Sequence, residues 1–215
     1  MNRVRVVLCV ALLAIGTAGC SLLEPKPDSS RYFMLRALSP EQGPALDGLV
    51  LGLGPVAVPD YLDSNEMIDL VGPYEVRYSA QNRWVEPLGG QIVRTLNENL
   101  DALLSPDAIV SYPWFAQDGV QLQVEVAFDP IRMDDDGAWT GSARWVVRAP
   151  GTRVGLERGD VSFELGSGLI PPDQIATALS TELQDLTVAI AEAVRRQVAR
   201  RHRPGEAQHH HRTGR

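Results

Sequence analysis

The sequence predicts an α+β domain, a mostly antiparallel sheet with two amphipathic helices packed on one face. Three observations predict it. Short runs rich in Val, Leu and Tyr, the cleanest of them alternating apolar with polar, recur between residues 31 and 165 and are broken by Gly, Pro and Asp. Two stretches, from Glu86-Pro87 to Leu104 and from Pro171-Pro172 to Arg201, instead carry apolar residues at helical spacing. The order is strands, helix, strands, helix, which is not the strict alternation of a parallel βα array.

Each element has its own signal. Residues 31–38, "RYFMLRAL", read as a strand. Residues 49–58, "LVLGLGPVAV", read as a strand whose Gly52 and Gly54 mark a bulge or a close approach. "GLGP" lacks the third Gly and the opening helix of a dinucleotide loop. A turn at Pro59–Leu62 leads to two short strands, 66–71 and 74–79, around Gly72-Pro73. Apolar residues at 88, 92, 96, 100 and 103/104 form the stripe of the first helix, which Pro106 limits. Strands are expected at 108–115 and 120–128, where Val120, Leu122, Val124, Val126 and Phe128 share one face. Asp134-Asp135-Asp136-Gly137 before "AWTGSARWVVRA" is a hairpin signal. The triplet could also be read as a metal site, but adjacent carboxylates lack the spacing of a calcium loop. A strand at 161–165 and a weaker one near 152–157 follow. Asp173 can cap the last helix, whose stripe runs through Ile175, Leu179, Leu183, Leu186, Ile190, Val194 and Val198. Arg195, Arg196, Arg200, Arg201 and Arg203 gather at its end. They complement the helix dipole as a solvated basic end or meet phospholipid headgroups.

The first nineteen residues read as a targeting segment. Arg3 and Arg5 precede a nearly unbroken apolar run, Val6–Ile15, too short to span a bilayer, and small residues follow. Ala18-Gly19-Cys20 resembles a bacterial lipobox, in which cleavage before the cysteine leaves a thiol that carries lipid. Thr17 stands where an aliphatic residue is usual. The alternative is an ordinary buried thiol, which accounts well for Cys9. Cleavage would leave Cys20 without a disulfide partner. A cysteine nucleophile usually needs a histidine base, and all four histidines (His202, His209, His210, His211) lie in the far C-terminal tail. The organisation expected is a signal peptide at 1–19, a tether at 20–30, one domain at 31–203 and a disordered tail at 204–215. Ser21, rather than Asp, after the cysteine favours the outer membrane.

Composition excludes other classes. The 215-residue chain has formal charge -7, and losing Arg3 and Arg5 makes it more acidic, a poor match for nucleic acid. Histidine is absent from residues 20–201, which disfavours common triads and histidine-metal catalysis. The expectation is a protein that is not an enzyme and carries no cofactor or metal beyond covalent lipid on Cys20.

"YFML" (32–35), "LGLGPVAVPDYLD" (51–63) and "NRWVEPLGGQIVRTLNENL" (82–100) together resemble the ABC-type transport auxiliary lipoprotein family, in its PqiC-like branch. Asp63-Ser64-Asn65 departs from the Arg-containing version of that place. The resemblance implies a lipid-anchored periplasmic accessory or docking subunit beside an MCE-family protein and an ABC permease and ATPase. Such a system carries lipid and maintains the Gram-negative envelope. The resemblance also allows a homo-oligomer. Carried over as candidate partner or oligomer contacts are Arg83, Trp84, Glu86, Pro87 and Leu88. The plainer reading puts Trp84 in the core and Glu86-Pro87 at a helix start. The alternative function is a periplasmic lipoprotein that itself binds a lipid or other small apolar ligand between sheet and helices.

Overall fold

The computed structural model describes residues 29–37 and 43–202. Its elements are β1 (Arg31–Phe33), β2 (Leu46–Ala57), β3 (Glu66–Gly72), β4 (Glu75–Trp84), α1 (Leu88–Leu104), β5 (Pro106–Ser111), β6 (Leu122–Phe128), β7 (Arg132–Met133), β8 (Ala138–Arg148), β9 (Gly155–Ser167) and α2 (Pro172–Arg201). Cys20, the signal segment and the tail from 203 onward fall outside the described residues.

The strands form two sheets. One has the order β1-β4-β3; the other runs β5-β2-β6-β8, with β7 and β9 both paired to β8. The α+β class expected from sequence is what the chain adopts. In detail both sheets are mixed: β1–β4, β2–β5 and β2–β6 are parallel, and the remaining pairings are antiparallel. Parallel neighbours need long crossovers. The β3–β4 hairpin and α1, lying between β2 and β5 in the chain, supply one.

Alternation along the larger sheet decides which face is buried. Leu51 and Leu53 on β2, Leu122 and Val124 on β6, and Trp145 and Val147 on β8 lie in register and are buried. Helix α1 covers β2 and β5, α2 covers β8 and β9, and the two helices touch each other. The opposite face carries polar pairs, such as Glu125 with Arg148 at 2.5 Å and Asp129 with Arg144 at 2.8 Å.

Two cross-strand pairs explain glycines in β8 and β9. Trp145 lies opposite Gly159, and Gly141 opposite Phe163. A Cβ on Gly159 would stand 2.7 Å from the Trp145 ring, and one on Gly141 would overlap the Phe163 ring. Each glycine clears the space its partner's aromatic ring occupies, beneath the helices.

Several sequence expectations shift. The Gly-rich strand does carry the expected irregularity: its register against β6 slips between Leu53 and Val56, where Gly54 has φ +118°. β5 ends at Ser111, short of the expected 115, because the chain after it turns through Tyr112-Pro113 into a 3-10 turn at Ala116–Asp118. The weak and strong strands expected at 152–157 and 161–165 are one strand, β9. Asp173 is not the cap of α2. Pro171 holds that position, and the Asp173 carbonyl accepts from the Thr177 hydroxyl.

The basic end of α2 is engaged by protein. Arg196 grips Glu157 of β9 through Nε and Nη2, at 3.1 and 2.9 Å to Oε2, and Gln197 donates to Oε1 at 2.8 Å. Arg200 lies 3.9 Å away. Arg195 donates to the Leu103 carbonyl at the end of α1. Part of the expected basic cluster thus fastens α2 to β9 and α1. Among the described residues no helix is long and apolar enough to cross a membrane.

The grip on Glu157 has a pH signature. The Arg196 hydrogen bond holds the Glu157 carboxyl below its usual range, with Gln197 and Arg200 adding to it against the cost of burial. A lowered folded value means the contribution is complete above the unfolded value, about pH 4.3, and is lost as pH falls through the folded value. Urea titrations across acidic pH should show this loss in the parent protein. Glu157→Gln should be less stable at pH 7 and should lose less stability on acidification.

Candidate functional site: the amino-terminal segment and the start of α1

β1 lies parallel to the end of β4, pairing Arg31 with Asn82, Tyr32 with Arg83 and Phe33 with Trp84. The Val85 amide then donates to the Phe33 carbonyl at 3.0 Å. Beyond β1, Leu35 is fully buried. Its amide donates to Gln91 Oε1 at 2.8 Å, and Gln91 Nε2 donates to the Glu86 carbonyl at 3.0 Å. The Arg36 amide donates to Ser180 Oγ on α2, and that hydroxyl donates to the Ala176 carbonyl. Residues 31–36 are therefore fastened to β4, to α1 and to α2 in turn.

The five carried-over residues lie together at the β4–α1 junction, but not as one surface. Trp84 and Leu88 are buried, at 3% and 5% exposure, and belong to the core of this chain. Pro87 is exposed and is the N-cap of α1. Arg83 faces Glu66 at 3.8 Å and Glu86 pairs with Arg94 at 3.3 Å; both pairs are well solvated, so each contributes little to stability. Glu66 is held below the usual carboxylate range first by the Ser64 hydroxyl, with Arg83 a smaller cause. The side chains that reach solvent here are those of Arg83, Val85, Glu86 and Pro87.

Pro87 has no side-chain hydrogen bond to offer the helix, so α1 is capped from a distance. The Gly89 amide donates to Asp63 Oδ1 at 2.9 Å, and the Leu88 amide to the Ser64 carbonyl at 3.4 Å. The Asp63 carboxylate therefore sits where free amides and the helix dipole favour negative charge. A Cβ on Gly89 would stand 2.8 Å from that carboxylate oxygen. This is why glycine stands in the first turn.

Sequence reasoning missed Gln91 and Ser180. The signal was present: Gln91, Thr95 and Asn99 are polar residues at four-residue spacing beside the apolar stripe of α1, and all three are buried. The acidic triplet is a turn, with Asp134 Oδ1 accepting the amides of Asp136 at 3.0 Å and Ala138 at 2.8 Å. Among the described residues, no three His, Cys, Asp or Glu side chains converge as metal ligands. Between sheets and helices lies a gap of about 40 Å³ lined by Trp84, Leu88, Met67, Phe128, Phe163 and Leu179. Ligand pockets are typically about 300 Å³ or more.

Fold and fastening first define a class: a mixed α+β domain whose amino-terminal strand and the residues after it are locked between two helices. The chain belongs to the family described as the ABC-type transport auxiliary lipoprotein component, whose model matches residues 33–191. This bears out the resemblance seen in the motifs, and makes the protein an auxiliary lipoprotein of ABC-type transport. Two crystal structures share the fold. One, of an uncharacterized protein, is 23% identical, covers 77% of this chain and 99% of its own, and has a TM-score of 0.58. The other, protein XCC0632 from Xanthomonas campestris, is 10% identical, covers 81% and 96%, and has a TM-score of 0.56. No curated protein matches the chain.

Two sets of variants test this geometry. Ala for Gly normally stabilises a helix by about 0.5–1 kcal/mol. At Gly89 the sign should reverse, and Asp63→Ala should cost about 1 kcal/mol, both read from urea midpoints. In the second set, Trp84→Ala should cost about 3–5 kcal/mol as a core cavity. Gln91→Leu should speed amide exchange at Leu35 while leaving β8 and β9 protected, measured by hydrogen exchange.

Proposed function

We propose that this protein is the lipid-anchored, non-catalytic docking subunit of an MCE-type ABC lipid transport system that maintains the Gram-negative envelope. In this reading Cys20 carries the lipid and the domain stands on the periplasmic face of the outer membrane. It holds an MCE-family protein that works with a separate permease and ATPase, and it has no cofactor of its own.

The family match is the observation that carries the proposal. The fastening of residues 31–36 supports it physically. A docking subunit must resist being pulled off its tether, and here the first strand is paired to β4 and Leu35 just after it is buried in the core. The exposed Arg83, Val85, Glu86 and Pro87 border that junction and are the contact residues proposed for a partner or a second copy. The carrier reading is disfavoured by the small interior gap, about 40 Å³ against about 300 Å³ for an ordinary ligand site.

The test is recovery of the lipidated protein from native membranes under conditions that preserve membrane complexes. Mass spectrometry should identify an MCE-type protein with it, and Cys20→Ser should abolish membrane attachment. Recovery with no such partner overturns the docking role. Stoichiometric lipid on the isolated monomer would favour the carrier.

A further inference from the structure

The β3–β4 hairpin leaves one side of β3 without a strand partner among the described residues: β3 pairs only with β4, and β4 pairs with β1 on its other side. Beside β3 is a cleft of about 420 Å³ lined by Asp69, Leu70 and Val71, with Arg77, Met133 and Leu169 among its other walls. Successive side chains of a strand point to opposite faces. Because Leu70 points to the face opposite Asp69 and Val71, a cleft lined by all three reaches past one face to the strand's backbone. Trp139, whose indole donates to the Gly168 carbonyl, fixes the far wall.

The size and chemistry fit an extended chain. Strand spacings of about 4.8 by 10 Å with a rise of about 3.3 Å allot roughly 160 Å³ to each residue. The cleft therefore admits about three residues, as many as β3 presents. Val71 and Leu169 are exposed apolar side chains on its walls, at 44% and 81%. Asp69 is half-buried there. Its cross-strand neighbour Arg77 turns instead to Glu75, at 2.6 Å. The carboxylate is therefore left for a cation brought by the occupant.

We propose that this cleft binds an extended segment of a partner protein by strand addition to β3, with an apolar side chain between Val71 and Leu169 and a Lys or Arg at Asp69. Backbone hydrogen bonds to the free edge supply affinity, and the two side-chain positions supply selectivity. The proposal names a binding surface and its ligand chemistry. It does not depend on the docking role above, since it is tested with a peptide and not with membranes.

The test uses the full lipidated chain in detergent and a synthetic six-residue peptide of alternating Thr and Val with one central Lys. At about 1 mM peptide, amide exchange in segment 66–72 should slow about tenfold. A peptide with Pro at the alternate positions should give no protection, and one with Glu in place of Lys should bind at least about tenfold more weakly. In Asp69→Lys the Lys/Glu preference should invert while exchange in α1 and α2 stays unchanged. No protection of 66–72 by any peptide overturns the proposal. So does protection that appears without peptide as protein concentration rises, which would give the edge to a second copy of the chain.

Discussion

The amide of Gln91 is the contact on which the amino-terminal half of the structure depends. One end accepts from the Leu35 backbone and the other donates to the Glu86 carbonyl, so one side chain joins the amino-terminal segment to the start of α1. Gln91 is fully buried, and a buried amide that loses its partners costs about 1–3 kcal/mol. That cost keeps Leu35 in place: if residues 31–36 leave, the Gln91 carbonyl loses a partner while Leu35 returns to water. Apolar and polar terms thus point the same way.

The same stripe of α1 shows where the design is less complete. Thr95 Oγ1 and both side-chain polar atoms of Asn99 are buried without a hydrogen-bond partner. On the other helix, Ser180 and Thr187 satisfy their hydroxyls against carbonyls one turn back. The contacts at either end of the helix layer, Arg36 to Ser180 and Arg195 to Leu103, are directional hydrogen bonds. The first ties the amino-terminal segment to α2 and the second ties α2 to the end of α1.

Much of this was legible in the sequence because period and punctuation decide it. The alternation from Leu122 to Phe128, two residues shorter than the expected 120–128, the hairpin at Asp134–Gly137 and both helix stripes appear in the structure. What was not legible depends on partners distant in the chain. Nothing local reveals that β2 lies between two parallel neighbours, or that Asp63 caps a helix that begins twenty-five residues later. "RWVEPL" was legible as a motif but not as a structure: its Trp and Leu go to the core, and its Arg and Glu stay at the surface. The polar residues beside the stripe of α1 were visible. Only the fold shows that the first of them holds the amino-terminal segment.

The way residues 31–36 enter the domain has a mechanical consequence. β1 contributes only three residues of pairing, and a three-residue strand alone is a weak attachment. The segment after it turns that weak attachment into a shared one. Leu35 is tied to α1 and Arg36 to α2, so removing residues 31–36 also strips a contact from each helix. The helices in turn cover different strands of the larger sheet, α1 on β2 and β5 and α2 on β8 and β9. Release of the amino-terminal segment and loosening of the helix layer are therefore coupled. The domain resists detachment through the cooperativity of its whole core, not through the length of its first strand.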